Sequence, residues 1–302
     1  MSFALLFSGQ GNQHPAMLPW LADDAIVNDM RMRLGVEDWR GALVDAGWAE
    51  RNDNAQTLLT GLALAAWHQL APHVASPAAI AGYSVGELPA FSAAGVLDPA
   101  STIGLARRRA EAMDECAARA PGGLLAVTGL SRPGLERLRA ETGLALAIRN
   151  GEESVILGGP IAALSQAQRS AELAGAQCTR LRVNVASHTP WMREAADGFS
   201  RTLEHVRFEA PRVVLFSNAA DRIRDAKSAR VALAAQIAQT VHWDECMDNI
   251  HARQVRCVLE VGPGQALARM WNQRFPTVPA RACDDFRSAA AIAAWLNSHA
   301  DP

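Results

Sequence analysis

Ser84 stands between two glycines in Gly82-Tyr83-Ser84-Val85-Gly86-Glu87. The apolar run Ala78-Ala79-Ile80-Ala81 before it reads as a short buried strand, and Leu88-Pro89-Ala90-Phe91-Ser92-Ala93-Ala94 after it reads as a helix. A G-x-S-x-G serine at a strand-to-helix turn has the layout of a nucleophile elbow. Glycines permit close backbone approach at a sharp turn, and a helix start offers unpaired N–H groups to an oxyanion. A plain Gly-Ser turn opening a helix fits the same residues, so the chemistry depends on what else converges there.

A serine hydroxyl is a weak nucleophile that needs a base. Among eight histidines, His188 has the most suggestive setting: Val185-Ala186-Ser187-His188-Thr189-Pro190, a polar loop between a strand and a helix. A loop or capping role fits it as well. An acyl oxyanion takes two backbone donors. The elbow offers the N–H of Val85, and the Gly9-Gln10-Gly11 loop offers that of Gln10, although Gly-Gln-Gly is also simply a turn. In the run Arg107-Arg108-Arg109, helical spacing puts Arg109 on one face with Thr102, Ala106 and Met113, while Arg107 and Arg108 point to solvent. A guanidinium on that apolar face invites a carboxylate, held bidentately. Asp244 and Glu260 are available as acids, but nothing pairs either with His188. H-E-x-x-H and cysteine-cluster patterns are both missing, so no metal site is expected.

The elements that must position these groups alternate between strand and helix. Phe3–Phe7 reads as a first core strand whose carboxyl end carries the Gly9–Gly11 loop, and ligands of open α/β sheets gather at such ends. Helices are expected over 55–70 and from Pro99, capped by Asp98, to about 120. Residues 123–185 change rhythm: strand 124–128, helix 131–142, strands 144–148 and 154–157, helix 161–174 and strand 177–185. That order is β-α-β-β-α-β, the ferredoxin-like pattern. Strands at 213–216 and 257–261 follow, with helices over 191–206, 229–240, 244–253, 265–273 and 287–298. The expected architecture is α/β: a large domain, residues 1–122 and 187–302, with a mostly parallel sheet, and a small inserted ferredoxin-like domain, residues 123–186.

The bulk numbers agree with a folded, enzyme-sized chain. In 302 residues, 49% are hydrophobic and 20% charged, which predicts a sizeable core. A net charge of −2 gives nucleic acid no electrostatic footing. No apolar run nears the roughly 20 residues of a membrane span, and no basic region precedes the first strand as in a signal peptide. Five cysteines, an odd number without C-x-x-C, fit reduced thiols in the cytoplasm.

Taken together, the motifs resemble the malonyl-CoA:acyl-carrier-protein transacylase family. Phe7-Ser8-Gly9-Gln10-Gly11 resembles its F-P-G-Q-G, and Gly82–Glu87 its G-H-S-x-G-E; Arg109 falls where its carboxylate-binding arginine should, 25 residues after Ser84, and Ser187-His188 resembles its catalytic S-H. Gln236 with Val241-His242-Trp243, and Glu260–Gly264, look like later family segments. The resemblance implies an α/β-hydrolase-like large domain and a ping-pong reaction through a malonyl-Ser84 enzyme. It implies His188 as base, Gln10 and Val85 as oxyanion donors, Arg109 on the malonyl carboxylate, and the Gln236 carbonyl orienting the histidine in place of an acid. Malonyl-CoA is then a substrate, the acceptor is the phosphopantetheine-type thiol of a small carrier protein, and no bound cofactor is needed. Tyr83 and Ser8 depart from the family's usual histidine and proline. G-Y-S-V-G-E with F-S-G-Q-G looks more like the malonate decarboxylase epsilon subunit, which loads a carrier subunit bearing a phosphoribosyl-dephospho-CoA arm. That pathway is the preferred expectation, with fatty-acid or polyketide synthesis as the alternative.

Two other classes compete. A serine hydrolase, as thioesterase or esterase, would place its acid and histidine late in the chain, casting Glu260 and His299. A carrier-binding scaffold would carry the same motifs without chemistry.

Overall fold

The computed structural model describes residues 2–11 and 13–300. Five strands form a parallel array: β1 (Phe3–Phe7), β2 (Ala79–Gly82), β7 (Leu215–Phe216), β10 (Cys257–Val261) and β11 (Ala280–Ala282). A short antiparallel strand, β8 (Arg222–Ile223), pairs with β7 and completes a six-stranded sheet in the order β11-β10-β1-β2-β7-β8. The register aligns Phe7 with both Gly82 and Val261, and Ala81 with Phe216. Four loops therefore leave the sheet side by side: Ser8–Gly11, Tyr83-Ser84, Ser217-Asn218 and Gly262–Gly264. This is the carboxyl edge where the sequence places its chemistry.

The strands of this sheet are apolar on both faces because both are covered. On β1, Phe3, Leu5 and Phe7 enter one hydrophobic cluster while Ala4 and Leu6 enter another. The first cluster takes in the helices Asn52–Leu70 and Pro99–Arg119. The second takes in Trp243 and Trp271 together with Leu124, Ala147, Ile148 and Ile156 of the smaller sheet. The two sheets thus share buried apolar side chains.

The smaller sheet contains β3 (Gly122–Thr128), β4 (Ala145–Gly151), β5 (Ser154–Pro160) and β6 (Gln177–Arg180), in the order β6-β3-β5-β4. All three of these pairings are antiparallel, and helices Arg132–Thr142 and Ile161–Leu173 complete the β-α-β-β-α-β unit. Sequence patterning misses one feature of it. β9 (Val241–His242), from the later large-domain segment, pairs in parallel with β4, aligning Ile148 with Val241 and Arg149 with His242. Sequence patterning ends the first of the two expected strands at 148, but Arg149-Asn150-Gly151 complete β4, and the chain reverses at Glu152-Glu153. The last small-sheet strand stops at Arg180 rather than 185, and residues 181–187 cross back to the large sheet without regular structure. Asp98 caps the long helix as expected, accepting from the Ser101 N–H at 2.9 Å.

Candidate active site

Two glycines are required at the elbow because backbone fills the space where their side chains would be. A Cβ on Gly82 would lie 2.1 Å from the Gly86 carbonyl, and one on Gly86 would lie 2.3 Å from the Phe7 oxygen. Ser84 itself takes a left-handed φ of 56°, and His188 one of 62°. Non-glycine residues pay for that conformation with about 1–3 kcal/mol, which the surrounding structure must hold. In this chain the two positions face one another: Ser84 Oγ lies 2.8 Å from His188 Nε2.

The other imidazole nitrogen identifies the tautomer. His188 Nδ1 lies 2.6 Å from the main-chain oxygen of Gln236, so it carries the proton and donates. Nε2 is then the free acceptor facing the serine hydroxyl. The His188 N–H also donates to the Ile237 carbonyl at 2.8 Å, which fixes the loop against the end of the helix Ala226–Ala235. Burial, with the nearby Arg109 charge, pushes the imidazole down to about 3 despite its carbonyl partner. It is therefore neutral and able to accept a proton at any ordinary pH.

Arg109 is buried, on the helix face anticipated with Thr102, Ala106 and Met113, whereas Arg107 and Arg108 are exposed and paired with Glu111. Two glutamine amides hold the guanidinium: Nη1 donates to Gln56 Oε1 at 2.7 Å, and Nη2 and Nε donate to the Gln236 amide oxygen at 3.2 and 3.1 Å. No ion pair among the described residues involves Arg109. Burial lowers it to about 10, opposed by Glu87, so it remains charged at neutral pH. Gln236 consequently touches both groups, the imidazole through its carbonyl and the guanidinium through its side chain.

The Gly9–Gly11 loop packs on the elbow, where a Cβ on Gly9 would meet Tyr83 at 2.9 Å. The N–H groups of Gln10 and Val85 take no partner among the hydrogen bonds of the described residues. Ser8 donates from its hydroxyl to Glu260 Oε1 at 2.8 Å, and the Ala268 N–H donates to Glu260 Oε2 at 2.8 Å. Glu260 is thus engaged away from His188, Asp244 is engaged by Arg149 at 2.6 Å, and His299 lies exposed on the terminal helix, bonded to Trp295. The late acid and histidine of an α/β-hydrolase order are not assembled with Ser84. A cleft of about 680 Å³ reaches His188, walled by residues including Ser217, Asn218, Gln239, His242 and Cys246. Among the described residues, no group of three or more His, Cys, Asp or Glu is placed to hold a metal ion, and no helix is long and apolar enough to cross a membrane.

Residues 4–301 match the family model described as the acyl transferase domain. The chain belongs to the acyl transferase family. Among its relatives, the malonyl CoA-acyl carrier protein transacylase of Salmonella typhimurium is 31% identical over 311 residues, covering 97% of this chain and 98% of that one. The crystal structure of the acyl-carrier-protein S-malonyltransferase from Burkholderia pseudomallei superposes with a TM-score of 0.89 at 28% identity, covering 97% and 100% of the two chains. A malonyl-transacylase solved in complex with its type II PKS acyl-carrier protein gives 0.88 at 28% identity over 96% and 98%. The acyltransferase fold of a large α/β domain plus a smaller one is shared across these structures.

Sequence reasoning overlooked Gln56, the side chain of Gln236, Glu87 and Asn218 as members of the site. Gln56 was visible as an amide just before the apolar run of the helix 52–70, and Asn218 as a polar residue two positions after a buried strand end. Glu87 is fully buried and pushed up to about 7 by that burial; its Oε2 has no hydrogen-bond partner among the described residues.

Proposed function

We propose that this acyltransferase moves a malonyl group from malonyl-CoA to a carrier-protein thiol through a Ser84 ester. Ser84 Oγ attacks the thioester carbon while His188 Nε2 takes its proton. The oxyanion that forms sits against the N–H groups of Gln10 and Val85. The C–S bond breaks, His188 returns the proton to the CoA sulfur, and malonyl-Ser84 remains. The carrier thiol then attacks the ester, giving its proton to His188, which passes it to Ser84 Oγ as that oxygen leaves. The Gln236 carbonyl does the orienting that an acid does in a triad.

The observation that carries the reading is Arg109: a buried, charged guanidinium beside the base, held by neutral amides and left to take a substrate carboxylate. An esterase has no use for it. Incubation with malonyl-CoA followed by intact-mass measurement and peptide mapping tests the proposal. One malonyl adduct on Ser84, discharged by a carrier thiol, is expected; an intact chain without adduct would favour the scaffold, and rapid discharge to water alone the hydrolase.

For the carrier, the relatives' names support the fatty-acid or polyketide type over the malonate decarboxylase subunit that the sequence favoured. The malonate decarboxylase reading retains Tyr83 and Ser8 alone, and both are built in: Tyr83 donates to Asn150 Oδ1 at 3.1 Å and Ser8 to Glu260. Offering malonyl-Ser84 both carrier types in competition decides between them. Faster transfer to the fatty-acid type is expected.

A further inference from the structure

β2 ends at Gly82 and β7 at Phe216, yet the bonding between them continues for one more step. In a parallel ladder a residue donates to the oxygen of position i−1 on the neighbouring strand and accepts from the N–H of position i+1. Extending the observed register, Ala81 with Phe216, pairs Tyr83 with Asn218. Asn218 makes that pair of bonds about Tyr83 with its side chain. Nδ2 donates to the Gly82 oxygen at 2.7 Å, and Oδ1 accepts from the Ser84 N–H at 2.8 Å. Its own N–H is turned away to Glu87 Oε1, at 2.5 Å. Glu87 begins the helix that follows the elbow, so the clamp is closed at both ends of the turn. Asn218 is 3% exposed.

The clamp meets a specific need. Tyr83 is still extended, with φ −93° and ψ 113°, so the Ser84 N–H keeps the ladder's direction although the Asn218 main chain has turned away to Glu87. A side-chain amide is a peptide-like group on a movable stem and can take its place. We propose that Asn218 is a positioning residue that holds Ser84 in its left-handed conformation, and so keeps Oγ in line with His188 and with the oxyanion donors. This rests on Ser84 being the nucleophile. Asn218 acts through the backbone of the elbow and hydrogen-bonds neither Oγ nor the imidazole.

The test is single-turnover formation of malonyl-Ser84 from malonyl-CoA, with melting temperature measured alongside. Asn272→Ala is the control. Asn272 makes the same two-ended amide clamp on the backbone of Ala280, three strands from the elbow, with bonds of 2.9 and 2.8 Å. Asn218→Ala is expected to slow acylation by about 10²-fold with KM within about threefold, while Asn272→Ala leaves both within about twofold. A rate within about threefold of the unaltered chain, an equal loss in Asn272→Ala, or a loss confined to KM overturns the proposal. Should Asn218→Ala not fold, Asn218→Asp carries the test, since it keeps the acceptor for Ser84 and loses the donor to Gly82. There a slowing of about tenfold or more at retained KM supports the proposal and an unaltered rate overturns it. No adduct in the unaltered chain sinks the nucleophile assignment itself, whereas an adduct that forms regardless of Asn218 sinks only the clamp.

Discussion

The environment of His188 disfavours its charged form. Its imidazole is held at about 3, so the pH profile of Ser84 acylation should show no histidine limb near 6.5; a fall in rate centred there would contradict the assignment. The same displacement affects stability. The folded protein binds this proton more weakly than the unfolded chain, so the contribution is complete above about pH 6.5 and is lost as pH falls toward 3. Glu87 and Glu260, each raised to about 7, act the other way: their contribution is complete below about 4.5 and is lost as pH rises toward 7. Urea denaturation of the unaltered chain and His188→Gln at pH 7 and pH 5 separates the two, and the substitution should relieve the loss on acidification. His188→Gln should also slow acylation by about 10³-fold. Arg109→Ala should cut the preference for malonyl-CoA over acetyl-CoA by about 10²-fold or more, read as the ratio of kcat/KM values, because no guanidinium remains that demands a carboxylate.

At the scale of elements, the elbow is a turn whose geometry is enforced by backbone contact. Gly82→Ala places a methyl carbon 2.1 Å from the Gly86 carbonyl, and neither strand β2 nor the following turn has room to retreat. A loss above about 4 kcal/mol, or failure to fold, is the expected result in urea melts. Tyr83 ties the elbow to its surroundings differently. Its ring meets Trp243 edge-on at 5.2 Å between centroids, and its hydroxyl reaches Asn150 at the end of β4. Tyr83→Phe keeps the ring and removes one hydrogen bond between elbow and small sheet. It should cost about 1 kcal/mol, or somewhat more if the Asn150 oxygen is left without a partner.

Over the whole molecule, the two sheets are joined by shared apolar packing and by β9. Trp243 is fully buried between them, next to that strand. Trp243→Ala should cost about 3–5 kcal/mol. Unfolding followed by far-UV circular dichroism and by tryptophan fluorescence should give coincident transitions, since neither sheet keeps its second face without the other; separate transitions would show that the shared cluster contributes little. The cleft that reaches His188 is walled from both sides, by Arg139 and Leu146 of the small unit and by Ser217–Asp221, Gln239, His242 and Asn249 of the large one. The shape of the cleft therefore depends on their mutual placement.

The sequence by itself determined the α/β class and the β-α-β-β-α-β unit, and it singled out Ser84, His188 and Arg109 as candidates that only a family resemblance joined into one site. Each of those is written in local patterns: alternating burial, glycine at a turn, and helical spacing that turns Arg109 inward. The strands it left out were the two- and three-residue β8, β9 and β11, which are too short for any periodicity and exist only because a neighbouring strand supplies their hydrogen bonds; it also passed over the helix Ala25–Leu34. Only the tertiary structure decided what surrounds the reacting groups. Gln236 meets both His188 and Arg109, Gln56 holds the guanidinium, and Asn218 extends a ladder, because residues 48 to 134 positions apart are brought together. Such contacts follow from strand order and register, which no stretch of sequence carries alone.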